Sequence, residues 1–311
     1  MFPTMVRTIR YEAEGVLSFE LVPASGIGIP AFTPGSHLEI RLPNGMVRQY
    51  SLIDAAADGA FRIAVGLDRN SLGGSRFMHE QIRPGAMIEV LSIANNFALA
   101  DDARPVRLIA GGIGVTPILA MAEALAQTGR DWRVHYACRD RAHAAFVDRL
   151  AALDPRLTLH FDDQAGVVAD VAAEVARAPQ DAHLYCCGPN PMLDAFEKVC
   201  AGRPTELVHL ERFGAVELVA EDENSFEVRL GRSGASYRIP QDRSILDVLL
   251  EAGVPAPYSC RNGVCGTCEA GVLQGVPDHR DLILSDVEKA AGSTMMLCCS
   301  RALSPSLTLD L

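Results

Sequence analysis

The sequence predicts a multidomain chain: an antiparallel β-barrel, then an α/β domain with a parallel sheet, then a small α+β domain. Three observations predict this fold class. Residues 1–103 alternate apolar and polar side chains with a period of two. Residues 104–213 alternate short apolar runs with helical patterns, which is typical of a parallel sheet. Residues 224–311 return to short strands and contain closely spaced cysteines.

Length and composition limit the possible functions. The 311 residues suffice for two or three domains with full cores. A formal net charge of −11 argues against nucleic acid as a partner. We expect no signal peptide, and the longest uncharged run, residues 108–122, is too short and too rich in glycine to span a bilayer. Because four of the nine cysteines are assigned to metal and the rest are odd in number, we expect a reducing, cytoplasmic location.

Two polar segments stand out in the predicted barrel. The first, residues 48–52, ends a strand and begins with Arg48. The second is a glycine-rich turn, residues 70–75, which leads into a helix predicted for residues 76–81. Since such a turn leaves N–H groups free and arginine can donate two hydrogen bonds to a phosphate, both segments are compatible with a phosphate site. A surface arginine and an ordinary turn explain them about equally well.

The α/β domain contains two glycine-containing turns that follow strands. Residues 111–117 come after the apolar run 106–110 and open a helix, for which Thr116 suits the N-cap and Pro117 the first helical position. Residues 187–189 follow a later strand. Ligands of parallel sheets bind at the carboxyl ends of the strands, where both turns fall. The turns therefore favour a dinucleotide site, and the alternative is a tight turn that simply needs glycine.

Four cysteines of the last domain form the most specific motif in the chain. Cys260, Cys265 and Cys268 lie on one short stretch with C-x4-C-x2-C spacing, and Cys298 follows far along the sequence. This is the ligand pattern of a plant-type [2Fe–2S] centre. A structural zinc site usually uses two C-x2-C pairs, and the second pair is missing because Cys298 and Cys299 are adjacent. The spacing favours an iron–sulfur cluster over zinc, and zinc over cysteines without metal.

The last domain and the stretch before it show further patterns. Residues 214–223 carry several acidic side chains without periodicity, so we predict a solvated linker. Ser244 is the predicted N-cap of a short helix. A second helix is expected at residues 282–291 and a final strand at residues 307–311. Together these elements predict a mixed sheet with one helix across it.

These motifs resemble the phthalate dioxygenase reductase family, which includes vanillate O-demethylase reductases. The resemblance covers essentially the full length, in the order of a flavin barrel, a nicotinamide-nucleotide domain and a plant-type ferredoxin domain. It implies an enzyme, a reductase that passes electrons from NADH through FMN to a [2Fe–2S] cluster. The implied acceptor is a separate Rieske-type terminal oxygenase or demethylase of an aromatic or similar small acid. The resemblance also suggests a monomer.

The resemblance implies roles for individual residues. Arg48 would bind the flavin phosphate, Tyr50 would pack on the isoalloxazine ring, and Ser51 would lie near the reactive N5. Ser51, Cys187 and Phe213 are implied at the site of hydride transfer. The implied cofactor-binding residues are Arg48, Tyr50, Ser51, Leu52, Gly73, Gly74, Ser75, Gly111, Gly112, Gly114, Thr116, Pro117, Arg139, Cys187, Gly188, Pro189 and Phe213. The implied cluster ligands are Cys260, Cys265, Cys268 and Cys298.

Several alternatives stay open. Relatives with the same barrel bind FAD, and FMN is favoured because the Gly-Gly-Ser turn runs directly into residues 76–79. NADPH would replace NADH if Arg139 met a 2′-phosphate. A stand-alone reductase serving another acceptor, or a non-enzymatic iron–sulfur carrier, would need no oxygenase. If a partner exists, we predict that it docks on the cysteine loop around Arg261 and Asn262.

Overall fold

The computed structural model describes residues 1–24, 31–55, 59–68, 73–153, 156–213, 225–241, 243–261 and 263–311. The chain divides into two compact units, Met1–Phe213 and Gly214–Leu311. The predicted linker at residues 214–223 lies outside the described residues, as do Asn262 and residues 70–72 of the predicted phosphate turn. Within the described ranges, no helix is long and apolar enough to cross a membrane.

Six antiparallel strands of the first unit close into a barrel. Its elements are β1 (Phe2–Ala13), β2 (Val16–Pro23), β3 (His37–Arg41), β4 (Val47–Ala55), β5 (Phe61–Gly66), α1 (Gly74–Glu80) and β6 (Met87–Ala94). The strands pair in the order β1-β2-β5-β4-β3-β6. Alternate apolar side chains, such as Leu38, Ile40 and Ile63, fill the interior. The predicted barrel is confirmed, although its helix begins at Gly74 rather than at residue 76.

A parallel sheet with helices follows in the same unit. Its strands are β7 (Val106–Gly111), β8 (Trp132–Cys138), β9 (Leu157–Phe161), β10 (His183–Gly188) and β11 (Val208–Arg212). The helices are α2 (Val115–Ala126), α3 (Val147–Ala151), α4 (Asp162–Ala165), α5 (Val171–Arg177) and α6 (Asn190–Cys200), with 3-10 turns at Gly112–Gly114, Arg141–His143 and Thr205–Leu207. The strand order is β11-β10-β7-β8-β9. Since β7 and β10 are neighbours, the two predicted turns that follow them start side by side.

Helices cover both faces of this sheet. Along β7, Leu108 and Ala110 pack into the same buried cluster as α2, whereas Ile109 packs into the cluster formed with α5 and α6. Two-sided burial explains why this strand reads as an uninterrupted apolar run rather than as an alternating one.

The predicted capping of α2 is wrong. The helix starts at Val115 and Gly114 is its N-cap, so Thr116 lies within the first turn. Its hydroxyl donates to the carbonyl oxygen of Ile113 at 3.0 Å. The reason is the 3-10 turn before the helix, which winds the backbone early and moves the helix start towards β7.

The barrel packs against the sheet within the first unit. Ile53 of β4 joins the buried cluster that contains Val115 of α2. At the rim, Arg149 of α3 donates to Asp54 of β4. Apolar burial and a charge-assisted hydrogen bond therefore hold β4, the strand with the predicted flavin residues, beside the sheet.

The second unit is a mixed sheet crossed by a helix. Its elements are β12 (Phe226–Leu230), β13 (Ser236–Ile239), α7 (Ile245–Glu251), β14 (Glu269–Gln274), β15 (Pro277–Asp278), α8 (Asp286–Ala291), β16 (Thr294–Met296), β17 (Arg301–Ala302) and β18 (Ser306–Leu309). The main sheet has the order β13-β12-β18-β14-β16. Ser244 caps α7 as predicted, accepting a hydrogen bond from the N–H of Asp247 at 3.0 Å.

Two predicted elements of this unit differ in length. The helix expected at residues 282–291 begins only at Asp286, because Ser285 and Glu288 form a capping box. The N–H of Leu284 donates instead to the side chain of Asp281. The final strand ends at Leu309, before the predicted residue 311.

Candidate functional site

Four cysteine side chains converge in the second unit. The thiol of Cys298 lies within hydrogen-bonding reach of Cys260 and Cys268, and that of Cys265 lies within reach of Cys260. Cys265 is half-buried and the other three are buried. The structure therefore brings together all four predicted ligands, three from one loop and one from the segment after β16.

The electrostatics of these thiols suit a cationic centre. The pKa of Cys298 is raised, because hydrogen bonds with the neighbouring thiols and burial oppose a thiolate there. Adjacent thiolates become favourable when a metal compensates their charge. Among the described residues, no three Cys, His, Asp or Glu side chains are arranged to hold a single metal ion. The thiols of Cys260, Cys265, Cys268 and Cys298 contact one another, and four cysteine thiolates are the donor set of a plant-type [2Fe–2S] cluster.

The loop over these thiols requires glycine at one position. Gly263 has a φ of 72°, and its N–H donates to the Sγ of Cys298 at 3.2 Å. A methyl group on Gly263 would lie 2.7 Å from the Sγ of Cys299. Cys299 is thus packed against the loop backbone, whereas its neighbour Cys298 belongs to the thiol group.

A second site forms in the first unit, where β4 meets the carboxyl ends of β10 and β11. Cys187 and Glu211 are register partners in the two parallel strands. Ser51 of β4 donates its hydroxyl to the Oε2 of Glu211 at 3.5 Å. Ser51 and Cys187 are both buried. We refer to Ser51, Cys187 and Glu211 as the strand junction.

Burial keeps the strand junction uncharged near neutral pH. It raises the pKa of Glu211 to about 8, against the lowering effect of the Ser51 hydrogen bond, even though part of this side chain remains accessible. Burial raises the pKa of the Cys187 thiol well above its ordinary value. The second cause is Glu211, whose negative charge, once the carboxyl ionises, opposes a thiolate beside it. A site with a thiol, a hydroxyl and a protonated carboxyl can contact organic rings without a buried charge. Glu211 was not among the predicted site residues, although it belongs to the segment Glu211-Arg212-Phe213 from which Phe213 was predicted.

Arg48 and the glycine turn of α1 meet on the barrel. A methyl group on Gly74 would lie 2.2 Å from the Nε of Arg48, so the turn passes directly over this side chain. Gly73 has a φ of 91°. Ser75 Oγ accepts a hydrogen bond from the N–H of Asp68 at 3.2 Å. These contacts join the two segments that were predicted to share a phosphate.

Two more predicted flavin residues lie on β4. Burial raises the pKa of Tyr50, so its phenol stays protonated. Leu52 is fully buried in the barrel core, and its N–H donates to the carbonyl oxygen of Ser36 at 2.8 Å. Tyr50 is therefore placed at the edge of the core, and Leu52 lies inside it.

The two turns after β7 and β10 contact each other. A methyl group on Gly114 would lie 2.1 Å from the carbonyl oxygen of Cys187, and one on Gly111 would lie 2.7 Å from Pro189. The position of a methyl on Gly188 would be 3.1 Å from the Cα of Gly111. Glycine is needed at these three positions because the backbones of the two turns pack against each other. This close packing explains the glycines whether or not they also bind a nucleotide.

Two predicted site residues lie at the periphery of this region. Arg139 follows β8, is exposed, and has its Nε 3.7 Å from the Oδ2 of Asp140. Phe213 follows β11 and is 36% exposed. Both are accessible to a ligand.

Comparison with known proteins identifies two domains of the chain. The 2Fe-2S iron-sulfur cluster binding domain matches residues 228–303, and the oxidoreductase NAD-binding domain matches residues 108–198. Phenoxybenzoate dioxygenase subunit beta of Ectopseudomonas oleovorans is 47% identical over 98% of this chain and 96% of that protein. Tetrachlorobenzoquinone reductase of Sphingobium chlorophenolicum is 44% identical over 98% of this chain and 97% of that protein.

A solved structure adds the fold of the whole chain. It is described as phthalate dioxygenase reductase, a modular structure for electron transfer from pyridine nucleotides to [2Fe–2S]. It matches with a TM-score of 0.79 and 37% identity, over 99% of this chain and 97% of that chain. The chain belongs to the phthalate dioxygenase reductase family. As a member of this family it is an oxidoreductase with an NAD-binding and a [2Fe–2S] domain, which confirms the predicted family, fold class and enzyme class.

Proposed function

We propose that the chain is the reductase component of a two-component oxygenase. It passes electrons from NADH through FMN to a [2Fe–2S] cluster and on to a separate Rieske-type oxygenase or demethylase of an aromatic or similar small acid. The observation that carries this proposal is the presence, in one chain, of four converging cysteines and an uncharged strand junction. When bound, the flavin supplies the conversion of a two-electron hydride into single electrons.

Residues of the barrel would hold the flavin. Arg48 supplies a guanidinium beside the turn formed by Gly73, Gly74 and Ser75, which suits the phosphate of FMN. Tyr50 offers an aromatic surface for the isoalloxazine ring. Ser51 places a hydroxyl at the strand junction, where it can hydrogen-bond to the edge of the ring.

Residues of the parallel sheet would hold the nicotinamide nucleotide. Gly111, Gly112, Gly114, Thr116 and Pro117 form the first turn, and Cys187, Gly188 and Pro189 form the second. Cys187 would help to orient the nicotinamide ring, and the exposed Phe213 would supply an aromatic side chain at the end of β11 for the same purpose. Asp140 beside Arg139 favours NADH, because its carboxylate would repel a 2′-phosphate.

Residues of the second unit would hold the cluster. Cys260, Cys265, Cys268 and Cys298 are the proposed ligands. The N–H of Gly263, which donates to the Sγ of Cys298, would tune the reduction potential of the cluster. We further propose domain boundaries at residues 1–103, 104–213, 214–223 and 224–311, a monomer, and a cytoplasmic location. The location is supported by the five cysteines outside the proposed cluster, none of which forms a disulfide.

Relatives support an oxygenase as the acceptor, and one supports a second candidate. One relative is named as a subunit of a phenoxybenzoate dioxygenase. Another is named as a tetrachlorobenzoquinone reductase. The second candidate function is therefore a stand-alone reductase that transfers electrons directly to a quinone.

The purified protein with NADH tests both functions. We expect bound FMN, the EPR signal of a reduced [2Fe–2S] cluster, rapid reduction of cytochrome c, and no conversion of an aromatic acid until a second protein is added. Turnover of the aromatic acid by this chain alone would refute the oxygenase-reductase proposal. Rapid reduction of a chlorinated benzoquinone, with no acceleration of any co-purified oxygenase, would favour the second candidate.

A further inference from the structure

Asp281 is a buried carboxylate that neither the motif nor the proposed electron path accounts for. Its side chain has no exposed surface. The Oδ2 atom accepts hydrogen bonds from the backbone N–H of Ile283 at 3.2 Å and of Leu284 at 2.8 Å. The hydroxyl of Ser300 donates to the Oδ1 atom at 3.5 Å. A carboxylate buried with several donors fixes the backbone around it, and here it fixes the turn at residues 281–284.

This turn is directly bonded to the cysteine loop. The N–H of Leu282 donates to the carbonyl oxygen of Gly263 at 2.9 Å. The Nζ of Lys289 donates to the carbonyl oxygen of Asp281 at 2.8 Å and holds the turn from the side of α8. The turn cannot move away from the loop without breaking these bonds.

Gly263 is therefore restrained from two directions. Its carbonyl oxygen accepts the hydrogen bond from Leu282. On the other side, a methyl group built on its Cα would lie 2.7 Å from the Sγ of Cys299 and 3.2 Å from the Cα of Asp281. With the carbonyl and the Cα fixed at a φ of 72°, the direction of the Gly263 N–H is fixed as well. That N–H points at the Sγ of Cys298, 3.2 Å away.

We infer that Asp281 is a positioning residue for the cluster: through Leu282 and Gly263 it aims an N–H at the Cys298 sulfur and so sets the reduction potential. The inference rests on the proposed assignment of Cys298 as a ligand. Hydrogen bonds to cluster sulfurs favour the reduced form, which carries one more negative charge, and therefore raise the potential. A purely electrostatic role for Asp281 predicts the opposite, because its negative charge would disfavour reduction.

Three substitutions separate these roles. Asp281→Asn keeps an oxygen that can accept from both N–H groups and removes the charge beside His279, so we expect no fall in the equilibrium constant for reduction. Asp281→Ala removes the acceptor, and we expect that constant to fall about tenfold, which is 59 mV for a one-electron couple. Asp281→Ser keeps one weaker acceptor and should lie between them. Asp310→Asn, an exposed carboxylate of the same unit, is the matched control for charge and should change nothing.

The measurement is an EPR-monitored redox titration of the complete protein, with flavin reduction by NADH as an internal control. A higher potential in both the Asn and the Ala variant would overturn the inference in favour of a charge effect, and unchanged potentials in the Ala and Ser variants would overturn it outright. If the Ala variant fails to assemble the cluster, the Ser variant decides; loss of the cluster in both would show that the turn is needed for assembly of the cluster and would overturn the claim that Asp281 sets the potential. Absence of a [2Fe–2S] signal from the unsubstituted protein would instead refute the proposed function.

Discussion

The cysteine loop of the second unit and the strand junction of the first unit are assembled in opposite ways. Three of the four thiols come from one loop, so spacing along the sequence nearly specifies the site. Ser51 and Glu211 are 160 residues apart and meet only because a barrel strand packs beside a parallel sheet. The loop depends on local backbone geometry, and the junction depends on the packing of whole domains. A substitution at one site should therefore leave the other site intact, and the two sites should differ in the size of the effect and in the property that is lost.

The largest effect is expected from Cys298→Ser. Loss of one thiolate removes the cluster, so the EPR signal and NADH-dependent transfer to the partner oxygenase should disappear completely, while flavin reduction by NADH continues. Cys299→Ala is the matched control, because Cys299 packs on Gly263 and lies outside the proposed ligand set. Retention of the cluster in Cys298→Ser together with its loss in Cys299→Ala would reverse the ligand assignment.

Gly114→Ala should produce the largest damage at the junction. The new methyl would lie 2.1 Å from the backbone oxygen of Cys187, and two backbones cannot separate without repacking. We expect a loss of about 3 kcal/mol in the unfolding free energy, measured by urea denaturation. Flavin reduction by NADH should also be slower, while the absorption spectrum of the cluster is unchanged. At Gly129 a methyl has no neighbour within 4 Å, so Gly129→Ala should be neutral. Equal effects of the two substitutions would contradict the close approach.

Glu211→Gln tests whether the junction is uncharged. The pKa of Glu211 is raised from 4.5 to about 8, so the folded protein holds a proton that the unfolded chain has released. The free energy of unfolding must therefore fall as pH rises from about 4.5 to about 8. Above about pH 8 the carboxyl is ionised in both states, and the loss is complete. Between pH 6 and 8 we expect the unsubstituted protein to lose about 1–2 kcal/mol relative to the Gln variant, less than the full pKa shift implies because Glu211 is partly accessible.

Urea denaturation at pH 6, 7 and 8 measures this difference. Glu206→Gln, at an exposed position just before β11, is the control and should leave the pH dependence unchanged. Parallel pH profiles for the unsubstituted protein and Glu211→Gln would show that the carboxyl is ionised in the folded state.

The smallest effect is expected from Arg261→Glu beside the cysteine loop. Arg261 stacks on Tyr258 at 4.4 Å, lies 3.4 Å from the carboxylate of Asp247, and is half-exposed. If the partner docks here, charge reversal should slow electron transfer to the oxygenase several-fold, most strongly at low salt, since rim charges mainly change association rates. Stopped-flow mixing with the partner measures this, and Arg232→Glu, at another exposed arginine of this unit, is the control.

Flavin reduction by NADH should be unchanged in Arg261→Glu. A similar loss in flavin reduction and in partner transfer would place Arg261 outside the docking surface. The neighbouring position Asn262, predicted with it, lies outside the described residues.

Much of the fold could be predicted because its patterns are local. The period-two strands of the barrel, the apolar run of β7 and the N-cap Ser244 each depend on a few neighbouring residues. Errors occurred at element ends, where neighbouring backbone turns and caps decide the first helical residue and hydrophobic periodicity does not. The 3-10 turn before α2 displaced Thr116 from the cap, and the capping box at Ser285 shortened α8. Glu211 and Asp281 were not predicted as site residues, because the contacts that give them a role, with Ser51 and with the turn bonded to Gly263, are made only in the folded chain.

By itself, the sequence determined the order of the domains, the strand and helix periods, and the metal-binding character of residues 260–298. Each of these follows from side-chain identity at short spacing, where covalent connection already brings the groups together. Only the tertiary structure decided that Ser51 meets Glu211 beside Cys187, that Arg48 lies under Gly74, and that the turn at Asp281 is bonded to Gly263. Those contacts join residues far apart in sequence, and their protonation and orientation depend on burial, which no local pattern specifies.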